Sequence, residues 1–105
     1  GVINTYNTTN DTSSMLELID KLLASLPEIQ GVDAEEIENV KDDLEMVQEQ
    51  LKTDNPKKNR IGKALVGIKK FAGDFSMKLA VTLAAGAVTG ADWGMLLQQL
   101  ENFIR

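Results

Sequence analysis

Hydrophobic positions along the chain follow a helical period for most of its length. Met15, Leu18, Ile19, Leu22, Leu23 and Leu26 recur at spacings of three and four, one face of an amphipathic helix. Ser14-Met15-Leu16-Glu17 fits a capping box, so this helix is predicted to start near Ser14. Pro27 ends it, because proline lacks an N–H and disfavours helical geometry at the residue before it. A second helix is predicted from Asp33, with acidic residues in the first turn where the helix dipole favours them. Its apolar residues are Ile37, Val40, Leu44, Val47 and Leu51, a narrow coiled-coil-like seam. The two helices and the short loop around Pro27 to Val32 read as an antiparallel αα-hairpin.

Thr53-Asp54-Asn55-Pro56 marks the next break, with Asn55 suited to an N-cap and Pro56 to the first helical position. Beyond it, Ile61, Leu65, Ile68, Ala72, Phe75 and Leu79 stay on one helical face. This predicts one long helix to about Val88, bent at Gly73, or else two helices broken at Gly73-Asp74. Thr89-Gly90 closes it, with glycine as the C-terminal cap. A last helix covers about 92–105, with Trp93, Leu96, Leu97, Leu100, Phe103 and Ile104 on its apolar side. No strand pattern is read anywhere. The expected fold is all-α: a small bundle of four or five helices, with an acidic αα-hairpin packed on a long basic-to-apolar helix and a C-terminal helix.

Residues 1–13 are rich in Asn and Thr and poor in apolar side chains, so they read as a flexible linker before a single helical domain at 14–105. Gly1 reads as the remnant of a cut from something longer. The pattern changes character in the stretch Leu79 to Ala91, thirteen residues without a charge, mostly small. Small residues let another backbone approach closely, so the run is expected to be buried against the chain's own helices, a second copy or lipid. It is too short to span a bilayer as a helix, which needs about 20 apolar residues. Gly86 and Gly90 form a Gly-x-x-x-Gly pair, expected here to serve helix packing within the chain.

Charge divides the chain. Residues 1–55 carry thirteen acidic and three basic side chains, net −10, and residues 56–105 carry three acidic and eight basic, net +5, which together give the overall −5. Acidic and basic helices packed side by side would partly neutralise each other. The alternative is a basic face, from Lys57, Lys58, Arg60, Lys63, Lys69, Lys70 and Lys78, for an anionic partner. The acidic half opposes nucleic-acid binding, and no aromatic platform accompanies the lysines.

Chemistry is sparse. There is no Cys and no His, which removes thiolate chemistry, the commonest neutral-pH base and the commonest transition-metal ligand. Ser13, Ser14 and Ser76 have no His to activate them. The acidic residues of the second helix read as a solvated face, and no glycine loop has phosphate-binding spacing. The expectation is a protein that is not an enzyme, with no catalytic, metal or cofactor-binding residues.

Residues 51–90 carry a Leu-Lys, the turn Asn55-Pro56-Lys57-Lys58 and a helix ending in small apolar residues, after an acidic helical hairpin and an Asn-rich segment. This resembles the C-terminal helical module of assorted bacterial proteins, some grouped with the abortive-infection (AbiTii-type) proteins. The resemblance implies a bacterial accessory module attached to another domain, with phage defence as a setting and no catalytic residues to carry over. The expected role is helix–helix interaction or oligomerisation through Ile37, Val40, Leu44, Val47, Leu51, Leu79, Leu83, Gly86, Val88 and Trp93. The partner is expected to be the chain itself or another protein or domain of the same parent, in the bacterial cytoplasm. The alternative is an effector segment, 63–88, lying on an anionic bilayer at the membrane periphery.

Overall fold

The computed structural model describes residues 2–105, with side chains from Thr12 onward. It is an all-α bundle of α1 (Val2–Ser25), α2 (Ala34–Lys52), α3 (Lys58–Asp74) and α4 (Gly90–Ile104), with one small β-hairpin, β1 (Val81–Leu83) and β2 (Gly86–Val88). The helices pack in a ring: α1 on α2, α2 on α3, α3 on α4 and α4 back on α1. The linker expected over 1–13 lies, as far as residue 11, outside the described side chains. Ser14 does not cap α1, because Thr12 and Ser13 before it are already helical.

Amphipathic spacing explains the ring. Met15, Ile19 and Leu22 of α1 are buried, as are Val40, Leu44, Val47 and Leu51 of α2. From α3 come Ile61, Ala64, Leu65, Ile68 and Phe71, and from α4 Trp93, Leu96 and Leu100, all in one continuous core. Pro27 lies in a 3-10 turn, Leu26–Glu28, and the Ser25 hydroxyl just before it donates to the Leu22 carbonyl at 2.7 Å, satisfying a fully buried polar group. Asp33 is the N-cap of α2. α3 starts two residues later than its Pro56 signal, after the Gln50 side chain accepts the Lys57 N–H at 2.8 Å.

The long third helix does not form. α3 ends at Asp74, and a short 3-10 turn, Ser76–Lys78, leads into the hairpin. The expectation that no strand exists is therefore corrected, as is the helical reading of Leu79 to Val88. Gly73-Asp74 is a poor helix interior, and the sequence beyond it alternates at period two over a few residues. Val81 pairs with Val88, Thr82 with Ala87 and Leu83 with Gly86. Val81 and Leu83 pack half-buried on the core and Val88 is fully buried, while Thr82 and Ala87 face outward. The strands are joined by Ala84-Ala85, and Gly86 adopts φ +138°, a region that side chains rarely enter. Gly86 thus serves a turn, not a helix crossing. Gly90 opens α4 instead of closing the helix before it, and Thr89 is its N-cap, with the Asp92 carboxylate accepting the Thr89 N–H at 3.0 Å.

Gly94 sits within α4, and nothing lies within 4 Å of where its Cβ would be. Gly94→Ala is expected to raise stability by about 0.5–1 kcal/mol through lost backbone freedom in the unfolded chain. A denaturant melt checks this as a shift of the midpoint at unchanged slope.

Candidate interaction surface

Trp93 is the centre of the α3–α4 contact. Its ring centroid lies 5.3 Å from that of Phe71, which in turn lies 5.1 Å from Phe75, both pairs tilted. The indole is fully buried, and among the described residues its Nε1 has no hydrogen-bond partner.

The residues expected to make outside contacts are largely used inside. Val40, Leu44, Val47, Leu51, Leu79, Val88 and Trp93 are buried in the chain's own core. Ile37 and Leu83 are half-buried against that core, and Gly86 is exposed at the hairpin turn. The seam of α2 is therefore closed by α1 and α3, and of the uncharged run the positions that stay open are Ala80, Thr82, Ala84 to Ala87 and Thr89 to Ala91. Met77 stands beside them with 95% of its surface exposed.

The larger apolar side chains left outside the core are others: Met46 at 37% exposure on α2, Val66 at 68% on α3, and Met95 on α4. All three fall off the hydrophobic seams. One helical turn on either side of Met46 stand Asp42, Asp43 and Glu49, and around Val66 stand Lys63, Lys69 and Lys70. The two helices are neighbours, α2 carrying seven acidic and two basic side chains and α3 five basic and one acidic. Yet among the described residues no ion pair links them. The ion pairs are Lys70 with Asp74 at 2.8 Å, within α3, and Lys21 with Asp92 at 3.8 Å, between α1 and α4. Asp74 raises the Lys70 pKa first through that hydrogen bond and then through its charge, and Glu36 of α2 adds to it across the helix boundary. The two helices expose adjacent rows of opposite sign, in electrostatic contact at Glu36 and Lys70 but joined by no ion pair among the described residues.

Between the rows, the Asp43 carboxylate lies over Gly67, where a Cβ would collide with it. Burial, and then the charge of Asp42, raise the Asp43 pKa above its ordinary 3.8. The folded state therefore holds this proton more tightly than the unfolded state. Stability falls as pH rises from the ordinary carboxylate range through the raised value, and stays lower above it. Asp43→Asn is expected to raise the melting midpoint near pH ~7 and to flatten its dependence between pH ~4 and ~7. Thermal melts across that range check both.

The depressions on the surface are open and shallow. One of about 450 Å³ lies between Glu28 and Gln30 and the hairpin's Ala80, Val81 and Thr82. Another, of about 300 Å³, is lined by Ser14, Met15, Gln99, Asn102 and Phe103. Among the described residues no group of three or more acidic side chains is placed to hold a metal ion. No helix of the described residues is long and apolar enough to cross a membrane. No protein-family model, no curated protein and no solved structure matches the chain.

Proposed function

We propose that the chain is a non-catalytic helical interaction module, which joins copies of the bacterial protein it belongs to. The observation that supports this reading is where unused apolar surface lies. Met46, Val66 and Met77 are held out on the exterior of a bundle whose core is otherwise filled. A contact surface combines an apolar centre with a polar, solvent-accessible rim. The resemblance to AbiTii-type C-terminal modules supports an accessory role in the bacterial cytoplasm, with phage defence as its setting.

The test is a fusion of the chain to a monomeric carrier protein. The fusion is expected to sediment at a higher mass as its concentration rises, while the carrier alone does not. A fusion that stays monomeric at every concentration refutes the reading. The bilayer alternative required one amphipathic segment over 63–88, and those residues are divided among α3, a 3-10 turn and a hairpin. Co-sedimentation with anionic vesicles at low salt is therefore expected to leave the chain in the supernatant.

A further inference from the structure

Met46 and Val66 sit in rims of opposite charge on two adjacent helices. We infer that a second copy of this chain docks on the α2–α3 face, each acidic α2 row against the partner's basic α3 row about a two-fold axis. This rests on the interaction-module reading and names its surface and its occupant.

The argument begins with symmetry. A two-fold contact joins the same patch on both copies, so the patch must complement itself. A face of one sign repels its copy. A face with an acidic row beside a basic row attracts it, because rotation by 180° exchanges the rows. α2 and α3 meet this requirement: within one copy Glu36 acts on Lys70 through its charge, but among the described residues no ion pair joins the two helices. Each row also has an apolar centre, Met46 among Asp42, Asp43 and Glu49, and Val66 among Lys63, Lys69 and Lys70. An apolar centre within a charged rim is the arrangement that excludes water from a contact while the rim sets partner and register.

Size fixes the strength. Helices of 19 and 17 residues are roughly 25–28 Å long, and two side by side are about 20 Å wide. That is about 500 Å² in outline per copy, below the ~800 Å² per partner of a standard specific interface. The dimer is therefore weak, and because its rim is solvated it dissociates in high salt. Lys70 leaves Asp74 for an acidic partner at little cost, since the pair is exposed and screened by solvent.

The test uses two charge-reversed variants of the whole chain, followed by light scattering. One carries Lys63→Glu and Lys69→Glu, which leaves a net negative rim around both Met46 and Val66. The other carries Asp42→Lys and Glu49→Lys, which leaves a net positive rim around both. All four side chains are exposed, so both variants are expected to keep the wild-type circular dichroism spectrum. Each alone is expected to be monomeric where the wild type associates, and an equimolar mixture is expected to restore a dimer of about wild-type affinity. If the wild type associates and both variants do so equally well, the inference is overturned while the module reading stands. Loss of association on Met77→Lys in that case would place the contact at the hairpin end. Variants that are monomeric alone and stay so when mixed also overturn the inference. A wild type that never associates overturns both.

Discussion

Trp93→Ala is expected to remove a large share of the domain's stability. Truncating a buried Trp costs about 3–5 kcal/mol, the lost transfer energy plus the cavity left behind. A domain of this size has on the order of 5–15 kcal/mol in total. Trp93 is fully buried and in ring contact with Phe71, so its truncation opens a cavity in the core. Trp93→Phe should be far milder. It keeps an aromatic face for Phe71 and deletes the Nε1 that has no partner, which offsets part of the lost bulk. Urea unfolding followed by far-ultraviolet circular dichroism separates the two. A Phe variant as unstable as the Ala variant would mean that the indole nitrogen has a partner after all.

The second large effect is expected at Val88. Val88→Asp places a carboxylate without a partner in the core, and an uncompensated buried charge costs about 3–5 kcal/mol. Its neighbour Ala87 faces outward, opposite Thr82, so Ala87→Asp should change stability by no more than about 0.5 kcal/mol. Val81→Asp and Thr82→Asp should repeat the contrast in the other strand, with the smaller gap suited to a half-buried valine. Stability measurements on the four variants read the alternation directly. Equal losses at Val88 and Ala87 would contradict the hairpin register.

The helical part of this architecture was legible because several independent signals agree there. In α2 the seam from Ile37 to Leu51, the Asp33 cap and the acidic first turn point to the same element, and the helix forms within one residue of those bounds. The hairpin was not legible. Leu79 continues the α3 seam and is buried, so the helical period survives beyond the point where the helix stops. The strands are three residues each, too short for alternation to outweigh that period. Their link, Ala84-Ala85, lacks the Asn-Gly or Asp-Gly pair that announces a tight turn, and the positive φ falls one residue later at Gly86. Alanine there favours helix by propensity, and only the burial of Val81, Leu83 and Val88 against the bundle decides otherwise.

The candidate surface was hidden for a different reason. Periodicity selects the residues that meet the core, and those are the ones a small bundle uses up. Val40, Leu44, Val47 and Leu51 looked available only because the sequence does not show that α1 and α3 both cover them. Met46 and Val66 lie off the period and carry no signal in one dimension. Their rims become visible once α2 and α3 are side by side. The charge division was plain in the sequence. What the fold adds is that opposite charges lie on adjacent helices, with Glu36 acting on Lys70 but no ion pair between the helices among the described residues.

The most direct test of the account is the mass of the isolated chain by light scattering after size exclusion. It should span a hundredfold range of concentration, at ~0.05 M and at ~1 M salt, where charge screening differs severalfold in range. The account predicts a mass that rises from 11.5 kDa towards twice that value in low salt, and that returns to the monomer in high salt. A monomer under every condition would contradict it.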